Sequence, residues 1–187
     1  MKRKEFIDRC CTCGALSLLG FCSPQGVSGK AATTEQKDSD SIPMNKDQIR
    51  AVMKFIDSSV NESDKARIFQ KMGTECFHSR HMEGWVNRFK DNQDEFFDRV
   101  KRGESTYWEK LEYDKKHSVI TLVGREVSAC ACQYGQGEQP PESLCNHCCK
   151  RFQEVLFEHL LGKKVNVRID ESVILGSNRC STTIFVS

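Results

Sequence analysis

The stretch SLCNHCCKRFQEVLFEHLLGKKVNVRIDESVILGSNRCSTTIFVS, residues 143–187, changes its period part-way along. Cys148, Phe152, Val155, Leu156, His159 and Leu160 recur at helical spacing, so one stripe of a helix is apolar. Gly162 stops that helix, because glycine takes the left-handed conformation that closes a last turn. The period then falls to two. Val165, Val167 and Ile169 alternate with Asn166, Arg168 and Asp170, as in a strand with one buried face. GSN supplies a turn, and RCSTTIFVS reads as a closing strand. A helix followed by a hairpin fixes the C-terminal half of the fold.

Upstream the same two periods recur in the opposite proportion. Ile49, Val52, Met53, Ile56 and Val60 share a helical face, with Asp47 placed to cap it. Ile68, Phe69, Met72 and Cys76 continue at helical spacing after NESD. A third helical run holds Trp85, Val86, Phe89, Phe96, Phe97 and Val100, and Lys101-Arg102-Gly103 ends it with cations at the negative helix end. Tyr107, Leu111 and Tyr113 then lead through DKK into HSVITLVG, whose β-branched content suits a hairpin. The order is helices, strand, strand, helix, strand, strand. This predicts an α+β fold: an N-terminal helical layer on an antiparallel sheet. Residues 45–187 form the single domain, a length that suits one core.

The chain has 187 residues, 38% of them hydrophobic and 29% charged, with a net charge of +2. Residues 1–31 hold Lys2, Arg3, Lys4, Arg9 and Lys30 against Glu5 and Asp8. The remainder is therefore close to neutral, and no nucleic-acid partner is expected. The opening MKRKEFIDRCCTCGALSLLGFC reads as an export signal: a charged start, then the short apolar run Ala15 to Phe21, too short to span a bilayer. Arg3-Lys4-Glu5-Phe6-Ile7 approaches the twin-arginine pattern, with Lys4 in place of the second arginine. Residues 32–44 belong to a flexible spacer rich in Thr, Ser and charge. These features predict an exported, periplasmic or envelope protein, with no transmembrane segment in the mature chain.

Cysteine is the compositional outlier, at 11 residues. Cys76, Cys130, Cys132, Cys145, Cys148, Cys149 and Cys180 lie beyond the leader. An odd number cannot all pair internally, so at least one thiol stays reduced, binds metal or pairs across a homodimer. Cys145-x-x-Cys148 opens a helix, where the partial positive charge favours thiolates, and Cys130-x-Cys132 puts a second pair on one face of an extended stretch. Zinc bound by Cys130, Cys132, Cys145 and Cys148 satisfies four-coordinate chemistry. Disulfides between the two pairs, a redox or nucleophilic thiol at the helix start, and buried apolar cysteine are the alternatives. His147 and Glu171 are possible further ligands or acids. Cys76 with His78 and His81 spells a second possible metal set, although Cys76 also lies on an apolar helix face. Trp85, Phe89, Phe96 and Phe97 read as core that could border an apolar ligand pocket.

The C-terminal residues Gly162, Lys163, Val165, Val167, Glu171, Gly176, Cys180 and Phe185 resemble the end of the 4-vinyl reductase type of small-molecule-binding domain. Gly73 with Cys76, the Cys130-x-Cys132 loop and the cysteine cluster at the last helix resemble a group of cysteine-rich exported bacterial proteins. That group adjoins L-2-amino-thiazoline-4-carboxylic acid hydrolases. The resemblance implies zinc near Cys180 and Glu171. However, Ser172 to Leu175 offer no further cysteine, which sends the ligand set back to the four cysteines above. The function so implied is binding or sensing of a small molecule beside a zinc site. A metal- or thiol-dependent hydrolase of a cyclic amide-like or thiazoline compound, and a disulfide-stapled envelope interaction protein, are the alternatives.

Overall fold

The structure is a computed structural model that describes residues 44–105 and 107–187. The leader and nearly all of the spacer lie outside the described residues. Four helices open the described chain: α1 (Lys46–Ser59), α2 (Glu62–Ser79), the short α3 (Met82–Val86) and α4 (Gln93–Lys101). The hairpin β1 (Trp108–Asp114) and β2 (Val119–Gly124) follows. A loop then leads to a π-helix, Leu144–Cys149, which runs directly into α5 (Lys150–Leu161), and β3 (Val165–Glu171) and β4 (Ser181–Val186) close the chain. The expected α+β order is the order found.

Asparagines start three of the helices, because a short side-chain carbonyl can accept from the exposed N–H groups of the first turn. Asn45 caps α1 and forms a reciprocal capping box with Gln48. Asp47, the expected cap, instead pairs with Arg50 at 2.7 Å. Asn61 caps α2 and Asn92 caps α4. Asn92 also splits the run read as one helix. Val86 and Phe89 fall on α3 and the turn after it, whereas Phe96, Phe97 and Val100 fall on α4. Gly162 ends α5 at φ 65°, in the left-handed region the sequence required of it.

The sheet is antiparallel throughout, in the order β1-β2-β4-β3. Its buried face presents Leu111, Ile120, Leu122, Val167 and Ile184 to α5, which contributes Val155, Leu156, Phe157 and Leu160. Trp85, Phe89, Phe96 and Phe97 pack edge to face on one another and fill the space between layers. A second, smaller core lies beneath α1. There Met53 and Phe69 meet Leu144 and Cys148, with Ile49, Ile56 and Met72 at its margin. Val52, counted on the apolar stripe of α1, points outward at 45% exposure. The main core fixes the sheet, and the small one seats the cysteine-bearing helix.

Candidate functional site

The seven cysteines beyond the leader come from four parts of the chain. Cys76 is near the end of α2, Cys130 and Cys132 are in the loop after β2, Cys145, Cys148 and Cys149 are on the π-helix, and Cys180 directly precedes β4. The fold brings them to one place. Cys132, Cys145 and Cys180 each bear on the ionisation of Cys130. Cys76, Cys132 and Cys145 bear on Cys148, and Cys148, Cys132 and Cys145 bear on Cys149. The four cysteines expected to act together, Cys130, Cys132, Cys145 and Cys148, are thus neighbours. Cys76, Cys149 and Cys180 stand with them. No disulfide joins any two of the seven.

Close backbone approaches hold these segments together. Gly73 of α2 lies against the Cys148 carbonyl so tightly that a β-carbon there would collide with it. This contact sets α2 against the π-helix, with Cys76 one turn further on. Gly135 lies against Cys130: a β-carbon would come within 2.8 Å of the Cys130 sulfur. Gln136 Nε2 donates to the Cys130 carbonyl at 3.1 Å. The Gly124 N–H donates to the Cys180 carbonyl at 2.8 Å, which ties the sulfur before β4 to the end of β2. The π-helix carries its own signature, since the Lys150 N–H reaches back five residues to the Cys145 carbonyl. Such wide turns recur at functional sites, where they re-aim side chains that an α-helix would spread apart.

Cys145 is the centre of the arrangement. Its sulfur lies 2.9 Å from the Ser172 hydroxyl, deep in the structure at the end of β3. The Ser172 oxygen accepts from the Ile174 N–H at 3.1 Å, and its own hydrogen can turn toward the Cys145 sulfur. The Cys149 S–H supplies a second donor. Its hydrogen bond is the main cause that lowers the Cys145 thiol from 9.0 to about 7, with Ser172 adding to it and burial opposing it. Two donors aimed at one sulfur favour its charged form. Cys149 pays the complementary cost: as donor to Cys145, and by burial, it is held as a neutral thiol far above the ordinary range. Burial likewise pushes Cys130 up to about 12 and raises Cys148 further, while Arg80 partly offsets the rise at Cys148. Cys145 is therefore the thiol pushed toward its charged form, while Cys130, Cys148 and Cys149 are pushed toward their neutral forms.

The other expected site residues lie elsewhere. His147 Nε2 meets Glu62 of α2 at 3.0 Å. Glu171 accepts from the Ser181 hydroxyl at 2.9 Å and is exposed. His78 lies 3.8 Å from Glu83, and His81 precedes α3 at φ 53°. His159 bonds the Val155 carbonyl at 2.8 Å and lies against the Phe77 ring, as a core histidine does. Among the described residues no three His, Cys, Asp or Glu side chains stand together in a geometry that could hold a metal ion. The donor set has the softness zinc accepts. Its sulfurs are grouped but not assembled around a common centre.

Two further residues belong to the site. Ser172 supplies the hydroxyl to Cys145. Tyr107 hydrogen-bonds Cys180, and burial first, then Cys180, pushes its hydroxyl far up. In the sequence Ser172 is only a small polar residue that follows Asp170 and Glu171 at the end of a strand. Tyr107 reads as an ordinary strand aromatic. A shallow cleft of about 230 Å³ opens elsewhere, lined by Lys90 to Asp94 and Lys115. None of the cysteines borders it. No described helix is long and apolar enough to cross a membrane.

No protein-family model matches this chain, and no curated protein matches it. Among solved structures the chain is distantly similar to trafficking protein particle complex subunit 3 from Naegleria fowleri, covalently bound to palmitic acid. The similarity spans 76% of this chain and 82% of that one at 10% sequence identity, with a TM-score of 0.33. At that level it carries no argument about what this chain does.

Proposed function

We propose that this protein is a thiol–disulfide exchange protein whose attacking group is Cys145 and whose resolving group is Cys149. One observation carries the reading: the Cys145 sulfur lies 2.9 Å from the Ser172 hydroxyl, and Cys149 stands one turn further along the same helix. The thiolate is the nucleophile in such chemistry, and an attacking thiol with a pKa near ambient pH serves it best.

The reaction runs in two steps. The Cys145 thiolate attacks one sulfur of a disulfide, R–S–S–R. The S–S bond breaks, the first R–S⁻ leaves and takes a proton from water, and R remains on Cys145 as a mixed disulfide. Cys149 has then lost the anion that held its proton, so its thiol ionises more readily. It attacks the Cys145 sulfur, forms the Cys145–Cys149 disulfide and expels the second R–S⁻. Two electrons pass from the dithiol to the substrate. With the export that the leader suggests, the protein would work where disulfides form and persist.

Oxidised glutathione, added without oxygen to the reduced full chain, tests this. Cys145→Ser is expected to abolish exchange, and Cys149→Ser to stop it at the mixed disulfide on Cys145. Undiminished exchange in Cys145→Ser would overturn the reading. So would one zinc ion per chain, held by Cys130, Cys132, Cys145 and Cys148 in the protein as purified. That result would return the function to zinc-assisted small-molecule binding.

A further inference from the structure

One helix, α1, lies over the loop that joins the two cysteine pairs and over Cys148, and it is held lightly. α1 reaches the cysteine loop at three points. Arg50 donates to the Gln133 carbonyl from Nη2 at 2.9 Å and from Nε at 3.3 Å. Lys54 Nζ donates to the Glu138 carbonyl at 2.6 Å. Asp57 accepts from the Ser143 hydroxyl. These contacts run from the residue after Cys132 to a residue two before Cys145, so they span the link between the two cysteine pairs. Beneath them Met53 packs on Phe69, Leu144 and Cys148.

The apolar hold is narrow. Met53 is the one fully buried residue of α1, whereas α2 buries Phe69, Gly73 and Phe77, and α5 buries five residues. Val60 and Asn61, both extended, form the joint to α2 at ψ 145° and 155°. An element with few buried apolar contacts opens locally long before the whole chain unfolds. Cys145 is 4% exposed and Cys148 9%, so both residues are buried in the closed form.

We propose that α1 is a latch over the sulfur site, jointed at Val60–Asn61 and held by Arg50, Lys54 and Asp57, whose opening admits the reacting disulfide. The proposal rests on the thiol-exchange reading, since it says how that site is reached. Its signature can still be separated. Alkylation of Cys148 reports opening whatever chemistry Cys145 performs.

The test is iodoacetamide alkylation of the reduced full chain without oxygen, resolved cysteine by cysteine by peptide mass spectrometry. Arg50→Ala/Lys54→Ala removes two tethers to backbone carbonyls and no core contact. Labelling of Cys145 and Cys148 should rise about tenfold while the main thermal transition stays in place. Unchanged Cys148 labelling in the double variant overturns the latch. Faster Cys148 labelling, with Cys145 no more reactive than Cys148, keeps the latch and removes the exchange reading. Hydrogen exchange on the unaltered chain gives an independent check should the variant not fold. Amides of α1 should exchange together and faster than those of α2. Amides of α1 as slow as those of α5 would overturn the proposal.

Discussion

At the scale of single residues, the site depends on which sulfur carries charge. Ser172 donates one of two hydrogen bonds to Cys145, so Ser172→Ala should raise the Cys145 pKa by about one unit. The ultraviolet absorbance of the thiolate, followed against pH, reads that change directly. The same ionisations set the pH dependence of stability. Cys145 falls from 9.0 to about 7, so its contribution is complete above pH 9 and is lost as pH falls through 7. Cys130, at about 12, and Cys148 and Cys149 are raised, so theirs is complete below pH 9 and is lost as pH rises. The unfolding free energy read from denaturant titrations should therefore drop between pH 9 and 11, by up to about 1.4 kcal/mol per pH unit for each thiol held neutral. Cys130→Ser should flatten part of that drop. The sequence offered Cys145 and Cys148 as a pair because their spacing suits a helix start. It could not show that Cys149, one position on, is the hydrogen-bond partner, because residues three and four positions on both lie beside Cys145 on a helix.

At the scale of elements, the α2 crossing is the sensitive joint. Alanine at Gly73 gains helix propensity but must push the Cys148 carbonyl aside, and overpacking of that kind costs about 1–3 kcal/mol. Gly73→Ala should lower the unfolding free energy in urea and also disturb the pH response of Cys145, since the π-helix has to move. The strands and α5 were legible because their apolar periods are clean and Gly162 marks the stop. The start of α1 was not, since Asn45 and Asp47 are both good caps and only Gln48, three residues after Asn45, completes the box. The break at Asn92 was likewise hidden among aromatics that bury on either reading.

At the scale of the whole molecule, two cores divide the labour. Phe157 belongs to the main one and Phe69 to the small one beneath α1. Phe157→Ala should cost about 3–5 kcal/mol of global stability. Phe69→Ala should chiefly free α1, seen as accelerated exchange of its amides. The α+β layering followed from the order of periods along the chain. The gathering of seven sulfurs did not, because it depends on long-range placement of α2, the loop after β2 and the turn before β4. The most direct test of the central claim is the pH dependence of Cys145 alkylation in the reduced, full-length protein. The expected midpoint is near pH 7, two units below an ordinary thiol, with Cys148 unreactive until far higher pH. A Cys145 midpoint at or above pH 9 would contradict it.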